Sequence, residues 1–174
     1  MEEKAKIVIL GVDPGSNVTG YGLISSNGEK DNLVESGIIQ LAHNVSLPEK
    51  LKEIFEGLVK IIKESQPDQF AIEQAFYSKN ARSALIMGEA RGAAILAAAK
   101  SNLPVGEYSP KEVKCAIVGT GAASKSQVQF MVQKLLKLKE LPQPPDAADA
   151  LAVALCHAQR IKRDRLLSNG VSVD

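Results

Sequence analysis

Short apolar runs that stop at an acid constrain this chain most. Ile7-Val8-Ile9-Leu10-Gly11-Val12 ends at Asp13, and Phe70-Ala71-Ile72 ends at Glu73. Runs of this length, bounded by turn formers, read as strands buried on both faces. A carboxylate at the end of such a strand is costly to desolvate unless a cation or hydrogen-bond donors meet it. In open α/β sheets ligands bind beyond the carboxyl ends of the strands, so Asp13 and Glu73 converge there if their strands are neighbours. Asp146 and Asp149 open the Ala/Leu-rich stretch after Pro144-Pro145; three residues apart, they share a helix face and lean into the same space.

The remaining punctuation orders the elements. Asp13-Pro14-Gly15-Ser16-Asn17 is turn chemistry, Thr19–Ser25 returns as a second strand, and Leu33–Leu41 follows the Ser26-Asn27-Gly28 turn as a third. Leu47-Pro48 starts a helix with Leu51, Ile54, Phe55, Leu58, Ile61 and Ile62 at helical spacing, ended before Pro67. Gln69–Glu73 is strand four, and Asn80 caps a helix reaching about Lys100. In that helix Ala81, Ala84, Gly88, Gly92 and Ala93 form a small-residue stripe fit to pack on the sheet or on another subunit. Val105–Tyr108 is strand five. Ser109-Pro110-Lys111-Glu112 and Ser124-Lys125-Ser126-Gln127 are capping-box helix starts flanking the loop Gly119–Ala123. The last helix runs from Asp146 to about Arg163, and Leu166–Asp174 is expected to fray. This order describes one domain over residues 1–174, an α/β mixed five-stranded sheet flanked by helices on both faces, the outline of a ribonuclease H-like fold.

Four carboxylates without His or Cys companions are hard oxygen donors suited to Mg²⁺ or Mn²⁺, and they suffice for two ions per site. Paired ions of this kind promote in-line phosphodiester hydrolysis. Net charge is only +1, yet residues 100–139 carry seven Lys against Glu107 and Glu112, a basic flank of +5 able to meet phosphates. His157 lies about 16 Å beyond Asp146 along a helix, too far to join the acids, and is expected to be structural or on the surface. Cys115 and Cys156, without metal-ligand spacing, are expected to be buried free thiols. No stretch is long and apolar enough to cross a bilayer and the N-terminus is not a signal-peptide start, so the expected location is cytoplasmic.

The blocks Ile9–Ser16 with Thr19-Gly20-Tyr21-Gly22, Ala71-Ile72-Glu73-Gln74 with Phe76 and Lys79-Asn80, Gly119-Thr120-Gly121 to Lys125-Ser126-Gln127-Val128, and Asp146–Ala152 occur in register over residues 7 to about 158. Together they resemble the RuvC family of bacterial Holliday-junction resolvases. The resemblance implies a homodimeric, Mg²⁺-dependent endonuclease that nicks two strands of like polarity across a four-way DNA junction and leaves 5′-phosphate ends. It implies work beside the RuvA and RuvB branch-migration complex and a short thymine-rich preference. On it, Asp13, Glu73, Asp146 and Asp149 are the metal-binding catalytic acids, Phe76 stacks on bases near the crossover, and Lys114 and Lys125 contact phosphates. The chain departs from common family residues at Ile86, Glu89 and Ser124. Two rivals share the fold or the binding role: an actin-like ATPase or sugar kinase, disfavoured by a chain too short for two nucleotide-closing lobes, and a non-catalytic junction-binding protein, disfavoured by the intact acids.

Overall fold

A computed structural model describes residues 6–74 and 80–168. Its elements are β1 (Ile7–Asp13), β2 (Val18–Ser26), β3 (Asp31–Gln40), α1 (Leu47–Ser65), β4 (Gln69–Glu73), α2 (Ala81–Lys100), β5 (Val105–Tyr108), α3 (Pro110–Val118), α4 (Lys125–Leu135) and α5 (Pro145–Ser168). The five strands form one sheet in the order β3-β2-β1-β4-β5. β1, β2 and β3 make the expected antiparallel meander, while β4 and β5 run parallel to β1.

The two sheet faces are packed separately, and strand alternation decides what each receives. On one face Ile9, Ile24 and Ala71 join α3, α4 and α5; on the other Leu10, Val12, Leu23, Phe70 and Ile72 join α1 and α2. Because side chains alternate with a period of two, Asp13 falls on the side of Ile9 and Glu73 on the side of Ala71. Both acids therefore face α5. Pairing of Val12 with Ile72 across the parallel β1–β4 ladder sets the two strand ends side by side.

Helix α5 lies almost directly on the sheet. Every residue from Ala147 to His157 except Asp149 is buried. Close contact is possible because the strands opposite lack side chains: a Cβ on Gly20 would stand 2.0 Å from the Asp146 carbonyl oxygen, and one on Gly11 would stand 2.2 Å from that of Ala150. Alanines on the helix and glycines on the sheet together fix the height of α5, and with it the acids in its first turn.

Some expectations are revised. Helix α5 continues through Leu166, Leu167 and Ser168, where fraying was anticipated; the Arg160–Asp164 pair lies one turn apart just before this stretch. Cys156 is buried, and burial pushes its thiol up to about 12, but Cys115 is exposed. The reason is helical phase, since α3 turns Val113 and Ile117 inward and Cys115 outward. Helix α2 buries Ala90, Ala94, Ala97 and Ala98, leaving Gly88 and Gly92 of the anticipated stripe open to space on the opposite side. His157 is structural: its Nδ1 meets the Tyr108 hydroxyl at 2.7 Å and its Nε2 meets Gln69 Oε1 at 3.3 Å. Burial holds this imidazole down at about 4, so it stays neutral at ordinary pH.

Candidate active site

The carboxyl ends of β1 and β4 open into a cavity of about 290 Å³ lined by Asp13, Glu73, Lys114, Lys125 and Asp149, with Pro110, Val113, Val128 and Ala152 as its apolar wall. Each polar group arrives by its own local device. The loop after β1 is pinned by Lys50, whose Nζ donates to Ser16 O and Asn17 Oδ1, both at 3.2 Å. Glu73 ends β4 opposite Tyr108 of β5. Ser109 and Ser124 begin α3 and α4 with complete capping boxes, which set where Lys114 and Lys125 emerge.

Electrostatics tie the acids into one group. Burial pushes the Asp13 carboxyl up to about 7, and repulsion from Glu73, Asp149 and Asp146 adds to it. Glu73 is likewise pushed up to about 7, first by burial and then by Asp149, against the opposing pull of Lys114 and Lys125. Lys125 Nζ stands 2.6 Å from Asp149 Oδ2. Burial still raises Asp149 overall, because its side chain is only 19% exposed and the partner lysine sits largely in water. Asp146 acts on Asp13 through space but does not line the cavity. Among the described residues, no three acids are drawn together tightly enough to form a ready-made chelate.

The donor set nevertheless fits a hard divalent cation. Carboxylate oxygens surround the cavity, no imidazole or thiolate lines it, and three acids, Asp13, Glu73 and Asp149, carry raised pKa values that a cation would bring down. Cavity size alone does not mark the site. A larger space of about 680 Å³ between α3 and α5 is lined by Tyr108, Glu112, Cys115, Cys156, Arg160 and Arg163 among others, and its acid, Glu112, is engaged by Ser109.

Sequence reasoning picked out the polar residues lining the cavity but missed Lys50 and the apolar wall. Lys50 reads as an ordinary helix cation until the β1–β2 loop lands beside it. Val113 and Val128 belong to the core as well as to the cavity wall. Phe76, expected to stack on bases, lies outside the described residues.

An RNase H-like mixed sheet with carboxylates clustered at the ends of β1, β4 and the start of α5 defines a metal-dependent nuclease class. The sequence profile of crossover junction endodeoxyribonuclease RuvC matches residues 9–157. The chain is 59% identical over 150 residues to the crossover junction endodeoxyribonuclease RuvC of Shewanella piezotolerans, covering 86% of each protein. It is similar in structure to Thermus thermophilus RuvC in complex with Holliday junction substrate, with a TM-score of 0.86 at 33% identity over 91% of this chain and 96% of that one. The yeast mitochondrial Holliday junction resolvase Ydc2, at 12% identity and a TM-score of 0.59, shares the fold. The chain belongs to the RuvC family of crossover junction endodeoxyribonucleases.

Proposed function

We propose that this chain, as a single nuclease domain, resolves four-way DNA junctions in recombination and repair by divalent-metal-dependent phosphodiester hydrolysis. The observation that carries the reading is the joining of Asp13, Glu73 and Asp149 with Lys114 and Lys125 around one cavity at the strand ends. Family membership supplies the substrate class, since the related T. thermophilus protein is described in complex with a Holliday junction.

In this mechanism Asp13, Glu73 and Asp149 around the cavity, with Asp146 beside it in the first turn of α5, would hold the cations. When bound, two Mg²⁺ ions, or Mn²⁺ in their place, supply Lewis acidity that makes water a competent nucleophile and neutralises charge on the leaving oxygen. Asp13 and Glu73 must lose their protons to take part, and their raised values set that requirement near neutral pH. Lys114 and Lys125 orient the scissile phosphate from α3 and α4. The wall of Val113, Val128 and Ala152 keeps the local dielectric low, which strengthens each charge interaction. Phe76 stacks on an unpaired base at the crossover, a contact tolerant of base identity.

Two symmetric cuts need two sites, and α2 supports a homodimer. Leu85 and Leu96 are 68% and 59% exposed, and they line up with the open Gly88 and Gly92 on the side away from the core. Such a stripe lets a second copy approach closely. The natural setting is the bacterial cytoplasm, beside the RuvA and RuvB branch-migration complex. Incubating the protein with a synthetic four-way junction, with and without Mg²⁺, and mapping cuts on all four strands tests the reading. Paired nicks on strands of like polarity are expected, with 5′-phosphate ends; absence of metal-dependent cutting overturns it.

A further inference from the structure

We infer that Lys125 is a built-in competitor for the metal at Asp149, an ammonium whose departure lets that carboxylate take a divalent ion at full strength and that is thereby released to meet DNA. The inference rests on the metal-site reading above and concerns how that site is kept in the absence of substrate.

Three observations carry it. First, the Lys125 Nζ is already in direct contact with Asp149 Oδ2 at 2.6 Å, and Asp149 is the site carboxylate given an ion pair of this kind among the described residues. An oxygen so engaged is a weaker donor to a divalent ion, because the ammonium draws on its charge and repels a cation placed on the same carboxylate. Second, the partners differ in mobility. The Asp149 side chain is 19% exposed on the buried helix α5, whereas Lys125 is 60% exposed and hangs from a flexible four-carbon stem. The lysine is thus the partner able to leave. Third, Lys125 occupies the first turn of α4, the helix end at which the macrodipole disfavours a cation. Its position there is offset by the carboxylate it touches, so losing that contact leaves the ammonium in need of a new anion.

A substrate phosphate at the cavity mouth is such an anion. DNA that attracts Lys125 frees Asp149 for metal, and metal that takes Asp149 frees Lys125 for DNA. By linkage the two effects are equal, so metal and DNA binding reinforce each other through one side chain. Without DNA, the same pair holds the nuclease poorly loaded.

The test is Mn²⁺ titration of the full chain without DNA, followed by electron paramagnetic resonance and by calorimetry. Lys125→Met is expected to bind Mn²⁺ about tenfold more tightly than the parent, while Lys114→Met, which removes a cation that acts on Glu73 through space, gains about twofold from charge removal alone. Lys125→Arg should restore the parent affinity. Despite tighter metal binding, Lys125→Met should cleave junctions more slowly, a combination that a merely structural lysine would not produce. Unchanged or weaker Mn²⁺ binding in Lys125→Met overturns the inference, as does an equal gain in Lys114→Met, which would reduce the effect to general electrostatics. If neither the parent nor Lys125→Met binds Mn²⁺, or if Lys125→Met binds it equally well after Asp13→Asn is added, the metal-site reading itself fails. Thermal unfolding checks that each variant is folded, and Lys125→Gln replaces Lys125→Met should the latter not be.

Discussion

The two faces of the sheet solve different problems. Toward α1 and α2 the strands present Leu10, Val12, Leu23, Phe70 and Ile72, large side chains that fill the gap to Ile54, Leu58 and Ile62. Toward α5 the central strands present Gly11, Gly20, Gly22 and Ala71, and the helix answers with Ala147, Ala148, Ala150 and Ala154. The first face supplies bulk apolar burial; the second trades bulk for backbone-to-backbone proximity. What this teaches is that the acids are placed by the closely fitted side, and the molecule is held together as much by the side that carries no chemistry.

That division makes separate demands on activity and stability. The largest effect is expected at the strand ends: Asp13→Asn or Glu73→Gln should lower junction cleavage by roughly a thousandfold or more while junction binding survives, because neutral amides coordinate Mg²⁺ poorly and leave the basic flank intact. Cleavage and gel-shift assays on the same preparations check this. Next, Phe70→Ala on the α1/α2 face should cost about 3–5 kcal/mol in urea denaturation, with little change in turnover per folded molecule. Gly11→Ala on the α5 face should cost less stability, about 1–3 kcal/mol, yet lower cleavage disproportionately by lifting the helix that bears Asp146 and Asp149. Equal activity-to-stability losses in the two variants would erase the distinction between the faces.

The smallest effect concerns pH. Asp13 and Glu73 are both raised to about 7, so in the metal-free protein the folded state takes up protons that the unfolded chain releases. The stability these groups contribute is fully present below the ordinary carboxylate range and lost as pH rises through about 7. Metal-free protein should therefore be more stable at pH 5.5 than at pH 8 because of these two groups, and the difference should shrink in Asp13→Asn. Thermal melts with and without Mg²⁺ read both, since cation binding should offset the penalty chiefly above pH 7.

Much of the architecture was legible from local signals. The start of β4 follows Pro67 and the end of β5 precedes the Ser109-Pro110 helix start, and the start of α2 follows from Asn80, whose side chain accepts from Arg82 N. Apolar runs that stop at an acid were enough to mark Asp13 and Glu73 and to send both beyond the carboxyl ends of their strands, while the β1–β4 pairing that sets them side by side on one face depends on contacts distant in the chain. What stayed hidden depends on which neighbour covers a given face. Cys115 and the Gly88–Gly92 stripe have apolar or small character consistent with burial, but helical phase turned them outward. The Lys125–Asp149 contact joins the starts of two helices across an intervening segment, and no spacing rule encodes it.

Helix α5 is anchored at a point well away from the acids. Tyr108 and Gln69 grip His157 from neighbouring strands, and the neutral imidazole bridges them without adding charge. That grip sets the axial registration of the whole rod: a slip of one residue would carry Asp149 by about 1.5 Å relative to Glu73. Reactions that depend on positioned ligands lose speed steeply over such distances. A polar clasp remote from the phosphate thus acts as the zero mark from which the spacing of the carboxylates is measured.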